Sequence, residues 1–211
     1  MQTTPAATPR AGAFPYESQW GDVALNAPLI EHGADPTEHF DWRAEGYASA
    51  DDYRLWARNV CGLACLRSVL GAWRGQRPPM HRLVLGAQSA GALVREGETV
   101  GGLYYRPFLA WVRAEFGLVG EVAEGPAAEQ ALLEACEDRV FVASVSPEIR
   151  YPDRPNARRG GHLVLVHTAD ADSVTFHNPS GVRETAENAR LDVATFSRFF
   201  AGRGFTLTRE G

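Results

Sequence analysis

The chain has 211 residues, a formal net charge of −5 and apolar and charged fractions near globular averages, which fits one domain with a substantial core. An acidic balance leaves no general basic face for nucleic-acid phosphates, no apolar run reaches bilayer length, and the first residues lack the apolar core of a secretory signal. The expectation is a cytoplasmic protein that engages neither nucleic acid nor membrane.

Residues 1–13 read as a flexible tail, and 14–211 as one domain. Phe14 to Trp20 places aromatics at alternating positions, as a short extended segment does. From Trp20 to Tyr47 the chain is rich in Gly, Pro, Asp and His with weak periodicity, so an irregular excursion is expected there. Ser49 can cap a helix running to about Arg58.

A second helix begins near Cys61. Up to Trp73 nearly every residue apart from Arg67 and Ser68 is apolar or small, too broad a pattern for a surface helix, so it is placed at the centre. Further helices are expected over Met80–Leu93, Tyr105–Phe116 and Ala127–Cys136, and strands over Leu118–Val122 and Arg139–Val145. Ser146 to Gly161 carries three prolines, four arginines and two glycines and reads as a long loop. His162–His167 and Ser173–Asn178 read as a hairpin, Leu191–Phe200 as a helix and Phe205–Thr208 as a closing strand. Helices first and an antiparallel sheet second make an α+β order.

The candidate chemistry lies in the hairpin and the central helix. With a turn over Ala169–Ala171, Thr168 faces Asp172 and His162 lies directly opposite Asn178, where Cβ atoms are about 4.5–5.5 Å apart. An imidazole and an amide so placed can hydrogen-bond. The other strand histidines, His167 and His177, fall opposite no good orienting group.

Three cysteines, Cys61, Cys65 and Cys136, would leave one over from any disulfide pairing, so free thiols are expected. Cys61 stands at the start of the central helix, where unpaired backbone N–H groups favour a thiolate. The helix dipole supplies about 0.3–1 kcal/mol. Lowering a thiol from about 8.5 to the ~3–4 of a His-paired cysteine needs roughly 6–7 kcal/mol, so an imidazolium such as His162 must supply most of it. Cys65, one turn on, reads as core, and Cys136 as a structural residue ending a helix. Cys61 and Cys65 have ligand-like spacing, but no second tight Cys/His pair completes a zinc site; neither metal nor cofactor is expected.

Together, Cys61-Gly62-Leu63-Ala64-Cys65-Leu66, Gly160-Gly161-His162 before an apolar strand, and Phe176-His177-Asn178-Pro179-Ser180-Gly181 resemble the bacteriocin-leader-processing cysteine peptidases. These form the family C thirty-nine group of the papain-like superfamily, and stand-alone bacterial relatives are the nearer likeness. The resemblance implies a papain-like α+β fold and a triad of Cys61, His162 and Asn178. It also implies an oxyanion-hole glutamine before the cysteine. Leu55 stands at the expected place, and the matching stretch is Pro15-Tyr16-Glu17-Ser18-Gln19, with about 20–60 as an insertion. Gln19 is therefore the expected donor and Asn59 the substitute.

The chemistry expected is attack by Cys61 on an acyl carbon, with His162 as base and then acid and Asn178 as orienting group. The partner would be a peptide or small amide. Arg150, Arg154, Arg158, Arg159 and Gly161 are candidate substrate contacts, the arginines through a carboxylate. Transfer of the acyl group to an amine, as an acyltransferase or transpeptidase, and non-catalytic peptide binding are the alternatives.

Overall fold

A computed structural model describes residues 14–209; the tail expected over 1–13 lies outside them. In the first half, α1 (Asn26–His32) and α2 (Ala50–Ala57) precede the central α3 (Cys61–Arg74) and α4 (Met80–Ser89). A small hairpin, β1 (Arg95–Glu96) with β2 (Thr99–Val100), leads into α5 (Tyr105–Phe116). The Ser49 hydroxyl accepts the Asp52 N–H at 3.1 Å and so starts α2. Gly75, in the left-handed region at φ 63°, ends α3.

The second half holds β3 (Val122–Glu124), α6 (Pro126–Leu133), β4 (Arg139–Val145), β5 (His162–Ala169), β6 (Ser173–His177), β7 (Ala189–Asp192), α7 (Val193–Phe199) and β8 (Phe200–Thr208). Six of the strands form one antiparallel sheet in the order β3-β8-β4-β5-β6-β7. Alternation along β4 and β5 gives the sheet two apolar faces. Val140, Val142, Leu163 and Leu165 pack with α2 to α5, while Phe141, Val145, Val164 and Val166 pack with α6 and α7. The fold is α+β, helical first and then an antiparallel sheet.

Arg67 is fully buried in the middle of α3. Its guanidinium meets Glu17 at 2.8 Å and Glu45 at 2.5 Å, and Arg77 closes on the same two carboxylates from outside. This network ties both the 14–20 segment and the excursion to the central helix. Burial of such charges is tolerable only when every partner is present.

Several expectations need correction. The excursion is not wholly irregular, because α1 and two one-turn helices form within it. The helix expected to Leu93 stops at Ser89, and the strand expected over Leu118–Val122 is displaced to β3. Helix α6 ends at Leu133, so Cys136 does not end it but lies beyond, exposed, with its backbone bridged to Arg139. β7 replaces the start of the last helix, and β8 begins five residues before Phe205.

The hairpin register also differs. Leu165 pairs with His177 and Val166 with Phe176, with a bulge at His167 and a turn over Asp170–Asp172. Relative to the expected register the strands slide by two residues. Continued to the end of β5, this puts His162 opposite Ser180, with Asn178 as its diagonal neighbour. A slide of two preserves the facing parity, so His162 and Asn178 still meet.

Candidate active site

Helix α3 packs on β5, and both begin at the same end of the molecule. Gly62 allows the close approach: a Cβ there would sit 2.7 Å from Leu103 and 2.9 Å from Leu163. Cys61 and His162 consequently line one cleft of about 670 Å³, with Gly161, Leu163 and Leu103 along its walls. Cys65 is buried, as expected of core, with its sulfur turned to the Leu163 carbonyl.

The imidazole is fixed from its far side. Nε2 of His162 lies 2.8 Å from Oδ1 of Asn178. That oxygen also accepts the Ser180 backbone N–H at 3.2 Å, so it is an acceptor and Nε2 carries the proton. The lone pair is left on Nδ1. Asn178 is itself fully buried.

Behind this pair the chain Asn178-Pro179-Ser180-Gly181 is held by a polar net. Tyr16 donates to the Asn178 carbonyl at 2.9 Å, Asn26 to the Gly181 carbonyl at 2.7 Å, and the Gln19 backbone N–H to the Pro179 carbonyl at 2.9 Å. Gly181 lies against the Thr185 carbonyl where no Cβ fits. The Ser180 hydroxyl stands 3.1 Å from His162 Nε2 and receives Arg150 at 2.6 Å, while Arg150 also donates to the Ser180 carbonyl at 2.8 Å. Arg150 thus serves the turn behind the histidine.

Burial sets the electrostatics. It pushes the Cys61 thiol up from its ordinary value, against the backbone N–H groups of Leu163 and Gly62 and the nearby Arg150 charge. It pulls His162 down to about 3, helped by Arg150 and opposed by the hydrogen bond to Asn178. Burial of both groups therefore works against the resting thiolate expected from sequence. Proton transfer creates both charges together, so that each offsets the cost of the other.

The other sequence-expected residues scatter. Asn59 lines the cleft and its amide donates to the Leu55 carbonyl at 2.7 Å. Gln19 is buried, with its amide on the Ala57 carbonyl at 2.9 Å, and is not among the residues lining the cleft. Arg154 lies over the Tyr151 ring at 3.9 Å, and Arg158 and Arg159 face a separate concavity with Arg198. The arginines that line the cleft are Arg58 and Arg203. Neither these nor the supporting Ser180, Tyr16 and Asn26 were singled out from sequence; only the Asn-Pro-Ser-Gly turn pointed toward Ser180.

His177 is a satisfied structural histidine. It donates from Nε2 to the Phe14 carbonyl at 2.9 Å and accepts the Asn188 N–H on Nδ1 at 3.0 Å. Among the described residues no cluster of metal-ligating side chains forms, and no helix is long and apolar enough to cross a membrane.

No protein-family model matches the chain, and no curated protein matches it. Among solved structures it is similar to a double glycine motif protease from an AMS/PCAT transporter in complex with the leader peptide, at 14% identity and a TM-score of 0.47, covering 71% of this chain and 84% of that one. It is also similar to the peptidase domain of Streptococcus ComA, a bifunctional ABC transporter involved in quorum sensing, at 14% identity and a TM-score of 0.46, covering 71% of this chain and 91% of the other. Both likenesses are distant, and the chemistry proposed below rests on the side chains.

Proposed function

We propose that this chain is a cysteine peptidase or amidase that cleaves a peptide or amide bond through a thioester on Cys61. The observation that carries the reading is the buried hydrogen bond between His162 Nε2 and Asn178 Oδ1, made behind the cleft that Cys61 and His162 line. It fixes the tautomer whose free Nδ1 can take the thiol proton. A buried, fully orienting amide on a histidine beside a thiol is the arrangement nucleophilic catalysis needs.

In the proposed sequence Cys61 sulfur attacks the acyl carbon while its proton passes to His162. The imidazolium then protonates the leaving amine, and water attacks the thioester with His162 as base. Asn178 holds the ring throughout. The oxyanion is assigned to the Cys61 backbone N–H at the start of α3, together with a side-chain amide: Asn59, which lines the cleft, or Gln19, whose amide must leave the Ala57 carbonyl to reach it. Replacing each amide by alanine separately identifies the donor, by a roughly 10²–10³-fold loss of turnover at the one that serves.

The test is alkylation of Cys61 by iodoacetamide, followed by intact mass, in the native protein and in His162→Ala. Loss of the base is expected to slow alkylation near neutral pH by about 10²-fold or more. A Cys61 that reacts equally in both proteins would discard the triad. Hydrolysis of a peptide pool with and without an added amine then separates hydrolysis from acyl transfer by its products.

A further inference from the structure

The walls around Cys61 carry more positive charge than a chain of net charge −5 would suggest, and one of those charges has no structural task. Arg58 follows the last turn of α2, a place where an arginine often serves the exposed carbonyls. Here that work is done by others. The Leu55 carbonyl receives the Asn59 amide at 2.7 Å, the Ala57 carbonyl receives Gln19 at 2.9 Å, and the Trp56 carbonyl receives the Asn59 backbone N–H at 2.7 Å. Arg58 is exposed, and among the described residues its side chain makes no hydrogen bond or ion pair.

Its position is the second observation. Arg58 lines the cleft that holds Cys61 and His162, and it also lines a neighbouring cavity of about 840 Å³ between α1 and the Pro147–Arg150 turn. Arg58 therefore stands where a bound chain would pass from one concavity to the other. The other charges facing it are mixed. In the cleft these are Arg203 and Glu124; in the cavity they are His32, Arg150, Arg154, Glu31 and Glu148. Glu31 is already committed to Arg183 at 2.7 Å, and Arg150 to Ser180. Arg58, Arg154 and Arg203 against Glu124 and Glu148 leave the path with an excess of positive charge.

We propose that Arg58 is a specificity-determining residue that binds a carboxylate on the substrate, next to the bond that Cys61 attacks. The inference rests on the peptidase reading and adds the substrate class: a peptide with an aspartate, a glutamate or a free C-terminal carboxylate within a few residues of the scissile bond. A guanidinium fork meets a carboxylate with two parallel N–H donors. Because the ligand is carried on the substrate, the charge of Arg58 goes unused until the cleft is filled.

The experiment uses short peptide vinyl sulfones with residues on both sides of the electrophile, in pairs that differ only by aspartate against asparagine. The position is walked along the peptide, and one further pair compares a C-terminal acid with its amide. The rate of Cys61 labelling is read by intact mass at low and high salt. At one position, or at the C-terminus, the acidic probe is expected to label about tenfold faster than its neutral partner. That ratio is expected to shrink at high salt, to fall below about twofold in Arg58→Gln, and to turn in favour of the neutral probe in Arg58→Glu.

Labelling of Cys61 that is indifferent to charge at every position overturns the inference and leaves the triad standing. So does an acidic preference that survives intact in Arg58→Gln. A Cys61 that no probe labels, or that labels equally after His162→Ala, removes the peptidase reading and this inference with it.

Discussion

The two halves of the site are held by different forces. His162 opens β5 and Asn178 follows β6, and hydrogen bonds through Asn178 Oδ1 and the Ser180 hydroxyl hold the ring. Cys61 is placed by apolar packing of α3 on β5, and the segments over that helix are clamped by the buried Arg67 network. Hydrogen bonds fix angles, whereas packing and buried charge fix distances. A base must present one particular nitrogen, and a thiol, free to rotate about one bond, need only be brought near.

The largest effect expected is on the clamp. Arg67→Met removes the central cation and leaves Glu17 and Glu45 facing one another with only the half-exposed Arg77 between them. A loss of about 3–5 kcal/mol in unfolding free energy follows from leaving buried charge uncompensated, measured by urea unfolding. Adding Glu17→Gln and Glu45→Gln is expected to return part of that loss. If Arg67→Met alone costs under about 1 kcal/mol, the clamp does not hold the Cys61 half.

Asn178 tests the other half. Asn178→Ala withdraws an acceptor from two donors at once, the His162 ring and the Ser180 backbone, and is expected to cost about 1–3 kcal/mol of stability. Cys61 alkylation should slow by about 10–100-fold as the ring loses its tautomer and direction. Asn178→Asp keeps the acceptor and places a negative charge beside the ring, so NMR titration should find the His162 pKa above its native value. An alkylation rate unchanged in Asn178→Ala would mean the ring is oriented by Ser180 instead.

The same division explains what the sequence made legible. The extents of α5 and β4 match expectation to the residue, and α3 runs one residue further than the expected Trp73, because continuous apolar patterns report burial directly. Short elements without such patterns, α1, β1, β2 and β7, escaped. The proposed triad of Cys61, His162 and Asn178 is marked in the sequence by the hairpin pattern and by the family resemblance. Register is not, since the bulge at His167 depends on side chains packed from elsewhere, among them Phe14, stacked on that ring at 5.6 Å. Arg150 is singled out from its loop as a substrate contact, whereas in the fold its guanidinium is turned to Ser180. Its partner Ser180 is thirty residues away, and only the folded turn brings them together. Arg58 was invisible for the opposite reason: its significance lies in carbonyls that other residues already satisfy.

The finest test of the contrast is Gly62, the residue that lets packing do in one half what hydrogen bonds do in the other. Gly62→Ala adds helix propensity worth about 0.8–1 kcal/mol. Against that, the new methyl would press on the outer carbons of Leu103 and Leu163, at 2.7 and 2.9 Å, flexible ends that can move aside. The two terms nearly cancel, so stability should change by less than about 1 kcal/mol. The side chains that yield are walls of the cleft, and their shift narrows the approach to Cys61. Labelling by a bulky peptide probe should therefore slow several-fold while the small reagent iodoacetamide is affected less, and equal slowing of both would mean that the sulfur itself had moved.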